Sequence, residues 1–130
     1  MARKSTPHPT DAELAILRVL WRLHEATVRQ VFLALDRRPR IGYTTVLKVL
    51  QIMTEKGLVT RDESERSHVY RANVSEQHAQ QQLVSDLLEK AFGGSASQLV
   101  MRALAAKPAT VAELGEIRRL LRQIEEERRP

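Results

Sequence analysis

The chain has no cysteine, few aromatic residues and no long apolar run. Without cysteine there can be no disulfide, no thiolate metal site and no cysteine nucleophile. Aromatic residues are 4% of the chain, so any core must be built from aliphatic side chains. No apolar stretch approaches the roughly 20 residues that span a bilayer, and no charged n-region with an apolar h-region opens the sequence. The chain therefore reads as soluble and cytoplasmic. Its histidines, His8, His24, His68 and His78, are scattered and show neither HxxxH nor HExxH spacing. No glycine-rich phosphate loop occurs, and Gly93-Gly94-Ser95 reads as a helix break. An enzyme, with or without a metal or other cofactor, is the reading with least support.

Of the 130 residues, 42% are apolar, which favours folding over disorder and suits one domain or two small ones. The net charge of +5 is unevenly spread. Residues 1–72 carry 13 Lys and Arg against 8 Asp and Glu, whereas residues 73–130 carry 8 of each. A modest basic excess can serve solubility alone. Its confinement to the front half raises the odds that this half meets a polyanion.

Residues 1–9 are polar, hold two prolines and read as mobile. Thr10-Asp11-Ala12-Glu13 is a capping box, in which threonine accepts from a free amide and glutamate reaches back. Leu14, Leu17, Val19, Leu20, Trp21 and Leu23 follow at helical spacing. Thr27-Val28-Arg29-Gln30 is a second box, opening a short helix through Val31, Phe32 and Leu35. Asp36-Arg37-Arg38-Pro39-Arg40 forms a basic loop, with Pro39 helping to stop the helix. A third helix runs from Gly42 toward Lys56-Gly57, where glycine suits the left-handed position past a helix end. Leu58–Arg61 and His68–Ala72 read as two strands around the polar turn 62–67. Three helices and a two-stranded ribbon are the layout of a winged helix-turn-helix.

Ser75 caps a fourth helix carrying Leu83, Val84, Leu87, Leu88 and Phe92. A shorter helix carries Leu99, Val100, Ala103 and Leu104. Thr110-Val111-Ala112-Glu113, a third capping box, begins a last helix with Leu114, Ile117, Leu120, Leu121 and Ile124. The expected fold is mainly α with a small two-stranded β wing: a winged helix-turn-helix over residues 10–73, then a helical dimerisation region over 74–126. About 55 residues of slender helices bury too little surface to stand alone. Their apolar stripes most simply meet a second copy. The expected dimer contacts are Leu87, Leu88, Phe92, Leu99, Leu114, Ile117, Leu121 and Ile124, although folding back onto the front half stays open.

In the third helix, Val46, Val49, Leu50 and Met53 make one face and are assigned to the core. Thr44, Thr45, Lys48 and Gln51 lie mostly opposite. These side chains are short or flexible, and no acid precedes Glu55. A helix entering a major groove needs small polar groups that reach base edges and phosphates, and an acid there would be repelled. A solvated face with Thr44 as N-cap is the plain alternative. Arg29, Arg37, Arg38 and Arg40 sit before the helix, where phosphate contacts are expected.

Leu17...Leu20-Trp21, Thr27-Val28-Arg29-Gln30-Val31, Tyr43-Thr44-Thr45-Val46, Lys56-Gly57-Leu58-Val59 and Tyr70, with Phe92-Gly93-Gly94-Ser95 and Glu113-Leu114...Ile117, resemble the penicillinase-repressor (BlaI/MecI) family over about residues 10–124. The resemblance implies a dimeric winged-helix repressor on a palindromic DNA operator, derepressed by a signal such as proteolysis, with a membrane-bound zinc protease sensor as a partner. It places Thr44, Thr45, Lys48 and Gln51 on the recognition helix and Arg66 at the wing; together with Arg29, Arg40 and Tyr43, these are the expected DNA contacts. Departures are specific. The family's wing often reads Gly-Arg, where this chain has Glu65-Arg66. Ile52 stands where many members carry arginine, and Lys48 where threonine is common. The Asn-Phe pair cut in antibiotic-responsive members matches Arg102-Ala103. A copper-responsive branch uses a cysteine cluster, which this chain lacks.

Two other functions compete. A small-molecule-sensing winged-helix regulator would usually begin with a long dimerising helix. A winged helix that binds protein would need an exposed apolar face on the third helix, for which Leu47 and Ile52 are the candidates.

Overall fold

A computed structural model describes residues 8–36 and 40–130. The expectations for the first seven residues and for Arg37, Arg38 and Pro39 lie outside the described residues. The chain divides into two compact units, one up to Val84 and one from Ser85 onward.

The first unit begins with α1 (Asp11–Leu23). Its capping box is complete: the Thr10 hydroxyl accepts from the Glu13 amide at 3.2 Å, and Glu13 Oε1 accepts from the Thr10 amide at 2.8 Å. The helix stops at His24, whose φ of 71° takes the backbone out of the helical region. Ala26–Thr27 then forms a short strand, β1. Thr27 also caps α2 (Val28–Ala34), with Gln30 completing its box as Glu13 does in α1. Next comes α3 (Tyr43–Lys56). Gly57 ends it at φ 81°, a left-handed backbone that other residues adopt only with strain. The Gly57 amide donates to Thr54 O at 3.2 Å and the Leu58 amide to Met53 O at 2.9 Å, which satisfies two orphan carbonyls and turns the chain sharply into the sheet.

The sheet has the order β1-β3-β2 and is antiparallel throughout, with β2 at Val59–Asp62 and β3 at Val69–Ala72. Arg61 pairs with Tyr70, and Tyr70 with Ala26 on its other side. The expected ribbon is thus present, with a third strand supplied by the α1–α2 connection. Thr27 is a helix cap, Ala26 immediately precedes it, and the two carry no alternating pattern, so nothing local marks them as strand.

The core is aliphatic around one tyrosine. Ile16, Leu17, Leu20, Val31, Val46, Leu50, Met53, Val59 and Tyr70 are buried almost completely. Val46, Leu50 and Met53 are therefore the inner face of α3, while Val49 and Val69 are only partly covered. Trp21 is partly buried and its Nε1 donates to Val74 O at 2.9 Å, tying α1 to the chain leaving β3. A single charged side chain, Glu13, is buried among these residues, at 2% exposure. It is paired across the unit: Lys56 Nζ, in the last turn of α3, lies 3.0 and 2.8 Å from its two oxygens.

The helix α4 (Glu76–Phe92) opens with the Ser75 hydroxyl accepting from the His78 amide at 3.0 Å. The division between the units falls inside it, because Ala79 is buried in the first unit while the later turns are not. In the second unit, Gly93 and Gly94 lead into α5 (Ala96–Ala106), and a third complete capping box, Thr110 with Glu113, starts α6 (Val111–Glu127). Neither α5 nor α6 contains a single buried residue. Among the described residues, no helix is long and apolar enough to cross a membrane, and no cluster of three or more His, Asp or Glu is placed to hold a metal ion.

Candidate nucleic-acid interface

The outer face of α3 is set by its inner one. With Val46, Leu50 and Met53 locked in the core, the 3.6-residue period turns Thr44, Thr45, Lys48 and Gln51 outward, and all four are exposed. Among the described residues, none of these four side chains makes a hydrogen bond or ion pair within the chain. Their donors and acceptors are free for a ligand.

The start of α3 differs from every other helix start whose cap is defined. Helices α1, α2, α5 and α6 begin with a threonine or serine oxygen accepting a backbone amide. Helix α3 begins at Gly42, which has no side chain to cap with, and its first turn holds no acid. Thr44 lies inside the helix, so the alternative in which it serves as N-cap does not hold. The first amides of α3 keep their positive partial charge uncompensated, and a helix end of this kind favours an anion.

Beside this end, Phe32 of α2 gathers two of the expected contact residues. The Tyr43 ring packs edge-on against it, with centroids 5.9 Å apart and planes at 73°. The Arg40 guanidinium lies 4.9 Å from the Phe32 ring centroid, and its Nη2 is 3.5 Å from the Phe32 carbonyl oxygen. Tyr43 and Arg40 are both exposed. The sequence pattern places Phe32 only within a short helix. Residues 32, 40 and 43 straddle a loop, so no periodicity connects them.

Arg29 is exposed in the first turn of α2. Arg66 is exposed in the turn between β2 and β3. That turn is structured by its own acids. The Ser64 amide donates to Asp62 Oδ1 at 2.9 Å, and this bond holds the Asp62 carboxyl below its ordinary range. Arg61 Nη2 reaches Glu63 Oε2 at 3.3 Å, and His68 Nε2 lies 3.9 Å from the other Glu63 oxygen. Asp62 and Glu63 are thus engaged locally, while Arg66 makes no ion pair among the described residues.

A protein-binding winged helix would need a continuous apolar face on α3, and its outward side is instead mostly polar. Leu47 packs partly against the core, and the exposed large apolar side chains of α3 are Ile52, at 38%, and Tyr43, whose ring is turned to Phe32.

The expected dimer contacts lie in α4, α5 and α6. Leu87, Leu114, Leu121 and Ile124 are 46%, 37%, 53% and 39% exposed, far more than a core would leave them. Leu88, Phe92, Leu99 and Ile117 are half-buried. Arg102 and Ala103 are exposed on α5.

A protein-family model described as penicillinase repressor matches residues 9–123. A transcriptional regulator BlaI of Mycobacterium tuberculosis is 39% identical over 83 residues, which cover 63% of this chain and 57% of that protein. The match therefore spans little more than half of that relative's length. A penicillinase repressor of Bacillus licheniformis is 22% identical over 120 residues, covering 92% of this chain and 94% of its own. Among solved structures, the monomeric Bacillus licheniformis BlaI in complex with the blaP half-operator is 25% identical, with a TM-score of 0.48, over 58% of this chain and 92% of that one.

Proposed function

The chain belongs to the penicillinase-repressor family, and from that premise we propose that it is a dimeric transcriptional repressor that reads a palindromic DNA operator with α3. The observation that carries this reading is the outer face of α3. Thr44, Thr45, Lys48 and Gln51 stand exposed and unengaged on a helix whose start is uncapped and free of acid. Short hydroxyls, an amide and one amine can meet base edges in a major groove, and the threonine methyls can meet thymine. Arg29 and Arg40 supply cations at the approach to the helix, and Arg66 supplies one at the wing, where phosphates are met.

The second unit serves association. Its helices α5 and α6 bury none of their own residues, so their apolar side chains need a partner surface. A second copy places two recognition helices at a fixed separation. Joining two weak half-site binders in this way raises avidity by about 10²–10⁴. Derepression then requires only that the pair be separated, by proteolysis in this unit or by another signal. Arg102 and Ala103 offer an exposed but helical segment, which must open before a protease can bind it.

The test is binding to duplexes with two inverted half-sites. Half-sites about 10 bp apart, or a multiple of that, should be selected from a random pool, and affinity should fall steeply as salt rises. Binding that does not change between low and moderate ionic strength would refute the reading.

A further inference from the structure

We propose that Phe32 is a positioning residue for the DNA backbone contact: it holds the Arg40 guanidinium beside the start of α3 so that the cation meets a phosphate already oriented. The inference rests on the reading of this chain as a DNA-binding protein. Phe32 grips Arg40 twice, through its ring at 4.9 Å and through its own carbonyl oxygen at 3.5 Å. Its ring also meets the Tyr43 ring edge-on, at the first residue of α3. One aromatic side chain on α2 thereby sets the placement of two exposed side chains on the approach to the recognition helix.

The chemistry favours this arrangement for a phosphate. An arginine on a free loop loses considerable rotamer entropy when it binds. A guanidinium lying against an aromatic ring has already given up part of that freedom. Only one of its five N–H donors is turned toward the Phe32 carbonyl, so others remain for a paired interaction with phosphate oxygens. The Phe32 ring is itself anchored, because it packs against the buried core of the first unit.

The full-length chain is compared with Phe32→Leu, Arg40→Gln and the double variant on a random-sequence 30-bp duplex, by fluorescence anisotropy across a potassium chloride series. Removing one cation from a phosphate should flatten the log–log salt slope by about 0.9. Arg40→Gln should flatten it by about that amount per protomer and weaken low-salt binding several-fold. Phe32→Leu keeps the cation and the residue-32 carbonyl, so it should weaken low-salt binding several-fold with a smaller change of slope. The double variant should be no worse than Arg40→Gln, because both act through one guanidinium. Phe32→Tyr keeps the ring and should restore the wild-type low-salt affinity, a rescue that simple loss of folding does not predict. A folded Phe32→Leu that binds as tightly as the wild type at low salt overturns the proposal. If Phe32→Leu does not fold, Arg40→Gln and Phe32→Tyr decide: an unchanged slope in the first, or weakened low-salt binding in the second, also overturns it. A wild-type chain without salt-dependent binding instead overturns the DNA-binding reading itself.

Discussion

Replacing Lys56 with methionine tests the one buried charge among the described residues. Glu13 is 2% exposed, and Lys56 Nζ lies within 3.0 Å of both its oxygens. Methionine keeps the aliphatic stem and removes the ammonium, leaving a buried carboxylate with the Thr10 amide as its remaining donor. Breaking a fully buried pair costs about 3–5 kcal/mol. The Lys56 side chain is 27% exposed, so water already screens part of this attraction. Charged hydrogen bonds of this intermediate kind contribute about 1.5–3 kcal/mol. For a domain of this size that corresponds to a fall in Tm of roughly 6–24 °C. Thermal and urea unfolding of the full chain at one fixed concentration measures it. The pH dependence gives a second check. Burial alone pushes the Glu13 carboxyl up, but the Lys56 hydrogen bond, the Thr10 amide and the Lys56 charge outweigh it and hold the group below its ordinary value. A carboxyl lowered by folding contributes its full stability above its unfolded pKa, and that contribution disappears as pH falls through the folded value. The gap between wild type and Lys56→Met should therefore be widest near pH 7 and close as the solution becomes strongly acidic. Glu13→Gln should keep the capping box, as Gln30 does in α2, yet abolish this closing gap. A Lys56→Met protein within about 0.5 kcal/mol of wild type at pH 7 would refute the reasoning, because that is the scale of an ordinary surface change.

Three further outcomes are expected. Lys48→Ala and Thr45→Ala should each weaken operator binding by about 1–3 kcal/mol while melting like wild type, since both side chains lie outside the core. An equal loss by Lys48→Ala on random DNA would make Lys48 a phosphate contact and not a base reader. The double change Ile117→Asp with Leu121→Asp places two carboxylates in the apolar stripe of α6 and should cost several kcal/mol of association. Light scattering should then show a monomer that keeps its helical circular dichroism and weak salt-sensitive DNA affinity but no longer binds the operator; a dimer that binds normally would remove α6 from the seam.

Much of this protein is decided within a few residues of chain, and that much the sequence determined by itself. The three capping boxes, Thr10 with Glu13, Thr27 with Gln30 and Thr110 with Glu113, close over three-residue separations, so their pattern is visible in any window that contains them. The stop at Gly57 and the division of α3 into a core face and an outer polar face follow from backbone sterics and the helical period, which are equally local. The tertiary structure decided what joins distant positions. β1 exists because β3 returns to pair with Ala26 and Thr27, two residues whose own sequence spells only a helix cap. Glu13 meets Lys56 across 43 positions, so in the sequence Glu13 is only a capping residue and Lys56 only a last-turn cation. Phe32 gathers Arg40 and Tyr43 because α2 and α3 pack together, and no propensity encodes that meeting. A helix period fixes which side chains point the same way, but which of them touch depends on chain closure over long loops, and only the folded core settles that.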